Sequence, residues 1–442
     1  MNTIEITSNN KNTDWFEYLY FFMIVIYAGM ASPFTENMMF YTYQPVGFII
    51  PVFMTIILLL RNPVSFYDTS FLLIIIVITV WQLLQYIKTS YFNASFTFFI
   101  YYALFIAYIV IKVFQVKMFF LYERVVTQLS VIAIIGWLTM IITPGFMAQL
   151  IDAIKLPQSD NDVLIGNILI FTMIQEEVGV TWGLARNAGF SWEPGRYATM
   201  VVIALFFNMA RTRFQFGKNI GFWILLIALI TTQSTTGYVT FLILLLFFLI
   251  NQKNVSKIFY LVLIVPFILI MYNLPFVGEK INTLADIEDQ RAKSLNDMEI
   301  RQSDGSYVPQ RFDGLAYEFL NIIDAPILGY GLSADNSYVS INIYQKIGLA
   351  NGVFKVIARF GLIIGGLFYF LLYKSSKYII SFYNLKGGII YMLIFIFISI
   401  SYDFTLVPFF LSSVMFYLFS DKKSISEPKW VYNKARVIFD GM

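Results

Sequence analysis

Long apolar stretches recur along almost the whole chain, separated by short polar turns. A helix needs about 20 mostly apolar residues to cross about 30 Å of hydrocarbon, and the roughly 10-residue alternation of a transmembrane barrel is absent. The pattern therefore predicts an all-α, polytopic integral membrane protein with a single membrane domain over residues 1–442. We predict about twelve transmembrane helices, at 16–32, 43–60, 69–87, 96–115, 125–143, 197–210, 219–233, 236–251, 257–273, 353–373, 387–402 and 405–420.

The distribution of charge orients these helices. If the N-terminus lies inside, the inner loops hold most of the 30 Lys and Arg residues and the outer loops hold most of the 27 Asp and Glu residues. Short inner loops rich in Lys and Arg are what the positive-inside rule requires. We therefore expect both termini to lie in the cytoplasm.

Two predicted outer loops are much longer than the others, at 144–196 and 274–352. Within the first, the apolar run 163–175 is too short to span a membrane, and we expect it to form a re-entrant or interfacial helix. Two large external loops on a helical bundle indicate chemistry or recognition at the outer leaflet. A pure transporter more often has two similar halves and broken helices at the midplane.

The second outer loop is predicted to contain an amphipathic helix that ends at the 325–331 segment. Its apolar positions recur at helical spacing, so we expect them to form one face. These positions are Phe312, Leu315, Phe319 and Ile322.

The amino-acid composition excludes several classes of catalytic mechanism. The chain contains no Cys and no His, which excludes a thiolate nucleophile, a zinc–thiolate site and any mechanism that needs a histidine base. No phosphate-binding or dinucleotide-binding glycine motif is present. We expect no cofactor and no nucleic-acid partner.

Arginines near predicted helix ends are the first candidates for a site. Arg186 and Arg196 bracket the Glu193-Pro194 step, where Pro194 is predicted to begin a helix. A guanidinium offers five donors and suits a pyrophosphate, and the helix N-terminus would face the same anion. The alternative is that Arg196 is an interfacial anchor and that Glu193 caps the helix or pairs with Arg196.

Two further arginines lie later in the chain. Arg311 begins the predicted amphipathic helix, where it is either a solvated surface residue or a ligand for an anion. Arg359 lies inside an apolar helix, where a charge is costly unless it faces a cavity or a partner. The alternative is that Arg359 extends to the membrane interface.

The Asp160-Asn161-Asp162 triplet resembles the acidic pair that holds a divalent metal in many glycosyltransferases. Two carboxylates at this spacing are common in loops, so we do not expect a metal site. The Thr231–Gly237 segment is predicted to be a tight outer turn, with hydroxyls that either satisfy helix ends or bind a sugar or pyrophosphate.

The chain from about residue 120 to residue 420 resembles the O-antigen polymerase and O-antigen ligase superfamily. The similarity lies in the order of loose motifs rather than in any single one. These are Gly189–Pro194 at the mouth of a helix, the Gln233–Gly237 turn, Arg311 leading to Pro326–Gly331, the closing Phe360–Gly365, and the final hairpin through Thr405–Phe410.

The resemblance implies a bacterial inner-membrane glycosyltransferase of the GT-C type. It would act at the outer face on undecaprenyl-pyrophosphate-linked oligosaccharides, without a metal, with membrane lipid around it and a chain-length regulator as a further candidate partner. The resemblance places the pyrophosphate on external arginines, here Arg186, Arg196, Arg311 and, more weakly, Arg359. Members that act as ligases carry a His that this chain lacks. The Arg-x10-Gly pairs of some polymerases are also absent, since Tyr197 and Ile322 stand where the pattern from Arg186 and Arg311 requires glycine.

We therefore predict a repeat-unit polysaccharide polymerase. The lipid pyrophosphate is already a good leaving group, so we expect catalysis to depend mainly on neutralising its charge and positioning the substrates. Glu193 is the predicted acceptor of the sugar hydroxyl proton, with Asp313 and Asp335 as rivals. An O-antigen ligase, or a lipid-linked oligosaccharide flippase without chemistry, remains as the alternative.

Overall fold

The computed structural model describes residues 14–29, 44–66, 68–146, 149–150, 165–167, 170–174, 180–181, 184–214, 216–217, 219–251, 311–331, 333–342 and 352–421. Within these ranges the chain is mostly helical and contains two short β-hairpins. The predicted span 257–273, the charged stretch 279–301 and the Asp160–Asp162 triplet lie outside them.

Thirteen α-helices occur in the described ranges. They are α1 (Trp15–Gly29), α2 (Gln44–Arg61), α3 (Thr69–Thr89), α4 (Ala94–Phe114), α5 (Lys117–Ile142), α6 (Pro194–Arg211), α7 (Ile220–Thr231), α8 (Thr235–Asn251), α9 (Arg311–Asp324), α10 (Tyr338–Asn342), α11 (Gly352–Phe382), α12 (Ile390–Ser399) and α13 (Pro408–Phe419).

Several of these helices are long and apolar enough to cross a membrane. By length and composition there are four in the described part of the chain, α3, α4, α5 and α11, and shorter apolar helices accompany them. Side-chain caps fix some of the starts: Asp68 accepts hydrogen bonds from the first turn of α3, and Asn93 does the same for α4. Such caps satisfy amide groups that have no partner within the helix.

The helix α6 forms the centre of the bundle. Its residues from Pro194 to Ala210 are all buried, and it packs against α5, α7 and α8. A helix that is apolar on all sides has no solvent-facing stripe and is covered by its neighbours. Pro194 occupies the first turn of α6, as predicted from the sequence.

An ion pair joins α6 to α5 at the end of the bundle opposite to Glu193. The buried carboxylate of Glu123 accepts hydrogen bonds from Arg211 Nε at 2.8 Å and from Arg211 Nη2 at 2.6 Å. Asn208 Nδ2 donates to the same carboxylate at 2.7 Å. This two-pronged pairing satisfies both carboxylate oxygens and holds the two helices in register.

The predicted interfacial helix over 163–175 is wrong. The chain instead forms an antiparallel hairpin of β1 (Ile165–Asn167) and β2 (Thr172–Ile174), and a second hairpin of β3 (Val180–Thr181) and β4 (Leu184–Ala185) follows. Pairing between strands satisfies backbone groups that a short isolated helix would leave open at both ends. The backbone N–H of Thr172 also donates to the carbonyl of Gly189, which fixes the hairpin against the segment before α6.

The helix α11 is broken near its N-terminal end. Gly361 has φ 78° and ψ 172°, so α11 consists of a short half, 352–360, and a long half, 362–382. This backbone conformation is almost confined to glycine. A Cβ at residue 361 would also lie 1.7 Å from the carbonyl oxygen of Ile327, so no side chain fits there.

The segment after α9 lies across this break and uses the backbone groups that the break exposes. The N–H groups of Tyr330 and Gly331 donate to the carbonyls of Ala358 and Arg359, at 2.9 and 3.1 Å. The N–H of Leu362 donates to the carbonyl of Pro326 at 2.8 Å.

Two side chains of α3 also donate hydrogen bonds to backbone carbonyls at the break. Gln85 Nε2 donates to the carbonyl of Arg359 at 2.8 Å, and Trp81 Nε1 donates to the carbonyl of Phe360 at 2.7 Å. A broken helix is tolerated at membrane depth only where its freed backbone groups find such partners. The break is therefore a built feature of the bundle.

Candidate functional site

Four charged side chains meet beside the short half of α11. Lys355 and Arg359 lie four residues apart on that half, so they share a face of the helix. Glu318 of α9 and Asp403 of the 400–407 loop interact electrostatically with both of them. The arrangement groups two cations and two carboxylates at the end of the bundle that we predict to be external.

Asp403 forms an ion pair with Lys355. The Lys355 Nζ lies 3.1 Å from Asp403 Oδ2, and Thr405 donates its backbone N–H and its hydroxyl to Oδ1. Burial alone would raise the pKa of Asp403, but the Lys355 ammonium, the Thr405 hydrogen bonds and the Arg359 charge lower the pKa to about 2. Asp403 is therefore ionised at any physiological pH.

Glu318 is in a different state. Its side chain is fully buried, and Asn321 Nδ2 donates to Oε2 at 3.2 Å. Its other oxygen, Oε1, has no hydrogen-bond partner among the residues that the structure describes. Burial raises the pKa of the Glu318 carboxyl; the Asn321 hydrogen bond and the Lys355 and Arg359 charges oppose this effect, and the Asp403 charge adds to it.

Arg359 is held by aromatic rings as well as by charge. Its guanidinium carbon lies 4.4 Å from the centre of the Phe96 ring and 5.9 Å from the centre of the Tyr330 ring. Packing on aromatic rings fixes the orientation of a guanidinium. Its N–H groups lie at the rim of the guanidinium plane and can still donate hydrogen bonds. Gly329 lets the segment after α9 approach α11 closely, because a Cβ at residue 329 would lie 2.3 Å from the carbonyl oxygen of Arg359.

The 400–407 loop connects this cluster to the start of α6. A Cβ at Gly352, the first residue of α11, would lie 2.7 Å from the carbonyl oxygen of Tyr402, and a Cβ at Gly195 would lie 2.0 Å from the Tyr402 hydroxyl. The hydroxyls of Ser401 and Thr236 are 2.7 Å apart. The loop therefore packs against the ends of α6, α8 and α11 at once.

Arg196 contacts the same loop from α6. It is buried, its Nε donates to the carbonyl of Ala28 at 3.1 Å, and its guanidinium carbon lies 4.7 Å from the centre of the Phe404 ring. Arg186 Nε donates to the carbonyl of Thr232 at 3.1 Å. Both arginines thus hold backbone at helix ends, which fits the anchoring alternative, and Arg196 also lies on α6, one of the helices that the loop contacts.

The other predicted site residues are placed less centrally. Glu193 is the N-cap residue of α6 and is partly exposed, and its side chain makes no hydrogen bond to the helix. Arg311 begins α9, two turns before Glu318, and its side chain lies outside the described part, as does that of Asp313. Asp335 is exposed and accepts a hydrogen bond from Ser333.

The predicted apolar face of α9 is wrong in part. Ile322 is buried as expected, but Phe319 is 54% exposed and Glu318 is buried in its place. The helix α9 packs on α11, and the cations of α11 favour a carboxylate over an aromatic ring at this contact. The side chain of Phe312 lies outside the described part.

An apolar groove adjoins the charged cluster. It is lined by side chains of α3, α4, α11 and α13, and Val356 and Thr405 belong both to its wall and to the neighbourhood of the charges. Val356 follows Lys355 on α11, and Thr405 is the residue that binds Asp403. A molecule with a long apolar tail and an anionic head would find both environments side by side.

Sequence reasoning missed Lys355, Glu318 and Asp403. Lys355 carried a usable signal, because it precedes Arg359 by four residues and must share its helix face. Asp403 is an acidic residue in a short turn between two apolar spans, which is a weaker signal. Glu318 carried none, because the spacing of its apolar neighbours predicted a different buried face.

Fold and site define a multi-pass membrane protein whose broken helix presents charged groups beside an apolar groove. Residues 220–370, from α7 through the break in α11, match the family described as O-antigen ligase. This match supports the resemblance to the O-antigen polymerase and ligase superfamily that the sequence motifs indicate. No curated protein and no solved structure matches the chain.

Proposed function

We propose that the protein is a polysaccharide polymerase of the bacterial inner membrane. It transfers a glycan from undecaprenyl pyrophosphate to a sugar of another lipid-linked repeat unit at the outer face. The observation that carries this proposal is the position of Lys355 and Arg359, which lie on a half-helix at the edge of an apolar groove. A polyprenyl chain would occupy the groove, and its pyrophosphate would meet the two cations.

Catalysis in this proposal rests on charge neutralisation. The bond from the anomeric carbon to the pyrophosphate oxygen breaks, and the electron pair stays on the pyrophosphate, where arginines stabilise it. Arg359 is the central group, with Arg186, Arg196 and Arg311 on the surrounding elements. Glu193 is our candidate for accepting the proton of the attacking hydroxyl, and no metal ion is required.

The proposed topology is a GT-C-like bundle of about twelve spans with both termini in the cytoplasm. The loops 144–196 and 274–352 then lie outside, next to the lipid-linked substrate, where a chain-length regulator would also bind. Single cysteines at Ser303 and Ser256 test this arrangement, because the native chain has no Cys. We expect an impermeant thiol reagent to label the first from outside and not the second, and labelling of the second would overturn the topology.

The polymerase proposal is tested with purified protein in vesicles that contain a polyprenyl-diphosphate-linked oligosaccharide. We expect lipid-linked products that grow by whole repeat units, with the same yield in excess EDTA. Transfer to a different lipid acceptor without chain growth would indicate a ligase. Vesicles in which the substrate only changes leaflet would indicate a flippase, and loss of activity in EDTA would assign a role to Asp160 and Asp162.

A further inference from the structure

We infer that Lys355 and Arg359 form an anion-binding cradle in which Glu318 is a proton-linked competitor, so that binding of a diphosphate is accompanied by uptake of one proton. The inference deepens the proposed function, because it rests on the same two cations, and it adds Lys355 and Glu318 to the site. Glu318 acts here through the cations, as a positioning residue.

The first support is the distribution of partners around the cradle. Asp403 is bound to Lys355 and to Thr405, so its charge is fixed. Glu318 has one oxygen on Asn321 and one oxygen without a hydrogen-bond partner in the described part of the chain. A fully buried carboxylate with an unsatisfied oxygen is costly to keep ionised unless neighbouring cations stabilise it.

The second support is the construction of the contact. The Asn321 side chain that donates to Glu318 also accepts the backbone N–H of Val339 from α10, at 3.1 Å. The segment after α9 is fixed to the carbonyls of α11 by Tyr330 and Gly331. These contacts fix Glu318 opposite the short half of α11, so its response to a new charge is a change of protonation.

The charged and titratable groups that face Glu318 come from each neighbouring element. They are Lys355 and Arg359 on α11, Asp403 on the 400–407 loop and Tyr330 in the segment after α9. Tyr338, on α10, is exposed. Burial already raises the pKa of Glu318 without a bound anion. An anion on the two cations offsets their stabilisation of the carboxylate and raises this pKa further.

The expected consequence is a linkage between pH and affinity. Between the pKa of Glu318 in the empty site and its higher pKa in the occupied site, binding takes up a proton. The affinity for the anion therefore falls by up to about tenfold per pH unit over that interval, beyond the effect of the titration of the ligand itself. Below the interval Glu318 is neutral in both states, and above it the carboxylate competes fully for the cations.

The experiment measures binding of inorganic pyrophosphate to the full-length purified protein in detergent from about pH 5 to about pH 9. We compare wild type, Glu318→Gln, Lys355→Ala and Asp324→Asn, the last being an exposed carboxylate on the same helix. The titration of pyrophosphate is common to all four proteins, so it cancels in the comparison. Calorimetry in two buffers of different ionisation enthalpy counts the protons taken up by the wild type and by Glu318→Gln, and the difference between the two counts is the proton that belongs to Glu318.

We expect Asp324→Asn to behave like the wild type. Glu318→Gln should lose the extra pH dependence and bind more tightly than the wild type at high pH, and Lys355→Ala should weaken binding at least about tenfold. Identical pH dependence in wild type and Glu318→Gln, or the same calorimetric proton count for both proteins, would overturn the inference while sugar transfer by wild type still supported the polymerase. Binding that survives Lys355→Ala unchanged would also overturn it, and a wild type that binds no pyrophosphate would overturn both this cradle and the role of Arg359.

Discussion

Two buried glutamates at different places in the bundle show how the same side chain serves two purposes. Glu123, between α5 and α6, has both oxygens hydrogen-bonded by Arg211 and Asn208. Glu318, between α9 and α11, faces two cations but has one oxygen without a hydrogen-bond partner in the described part of the chain. A fully paired carboxylate holds helices together, whereas an incompletely paired one beside cations is available to respond to a ligand.

The largest expected effect is on the fully paired glutamate. Arg211→Ala leaves the buried carboxylate of Glu123 with Asn208 as its partner. We expect the unfolding free energy to fall by about 2–4 kcal/mol. This is less than for a fully buried ion pair, because Arg211 is partly exposed. Thermal unfolding of the detergent-solubilised protein measures this loss. Arg124→Ala, an exposed position on the same helix as Glu123, is the matched control. Equal melting temperatures for the two variants would remove the structural role of the pair.

The second effect concerns the backbone that supports Glu318 and its cations. Gly361→Ala introduces strain of about 1–3 kcal/mol, because the backbone conformation is almost confined to glycine, and the added methyl group also meets the carbonyl of Ile327. Membrane abundance and melting temperature should both fall. The control is Gly366→Ala on the same helix, where a Cβ meets nothing within 4 Å and helix propensity favours Ala. A stable Gly361→Ala protein would show that the break in α11 is not needed.

The third effect compares two glutamines of α3. Gln85 Nε2 donates to the carbonyls of Leu328 and Arg359, at 2.6 and 2.8 Å. Gln85→Leu should therefore cost about 1–3 kcal/mol by removing a hydrogen bond from each carbonyl, although the Arg359 carbonyl keeps the N–H of Gly331. Gln82 is equally buried, but its Nε2 has no partner in the described residues. Gln82→Leu should therefore be close to neutral in the same unfolding measurement. The reverse order would mean that α3 does not stabilise the break.

The smallest effect is a pH dependence of stability. The pKa of Glu318 is raised in the folded protein, so folding binds its proton more tightly than the unfolded chain does. This contribution is complete below the unfolded pKa and is lost as pH rises through the folded pKa. Glu318→Gln should remove that loss and leave stability at neutral pH unchanged or up to about 1 kcal/mol higher. Melting temperatures at several pH values test it, and a large destabilisation by Glu318→Gln would make this glutamate resemble Glu123.

The sequence predicted the elements better than the contacts between them. Apolar length places α3 and α4 to within two residues, because a membrane imposes the length of a span. It is less accurate for α5, which begins eight residues before the predicted span 125–143, and for α11, which ends nine residues after the predicted span 353–373. Pro194 marked the start of α6 correctly, since proline is suited to the first turn of a helix. The run 163–175 failed, because a short apolar run fits a strand hairpin as well as a helix.

The candidate site could be predicted only in part, for a physical reason. Arg359 was identifiable because a charge within an apolar helix needs a partner. Its partners Glu318 and Asp403 are separated from it by tens of residues in the chain, and only the docking of the Pro326–Gly331 segment on α11 brings α9 to the cations. Spacing along a sequence reports a helix face and does not report which face another helix covers.

The transfer activity of Arg359 variants tests the central claim most directly. The assay follows growth of a polyprenyl-diphosphate-linked oligosaccharide by purified wild type, Arg359→Lys, Arg359→Ala and Lys374→Ala, which lies on the same helix away from the cluster. We predict full activity for Lys374→Ala, partial activity for Arg359→Lys, and a loss of about 10- to 150-fold for Arg359→Ala, as expected when a charged hydrogen bond worth about 1.5–3 kcal/mol is removed from the transition state. A folded Arg359→Ala protein that extends the glycan at the wild-type rate would contradict the account.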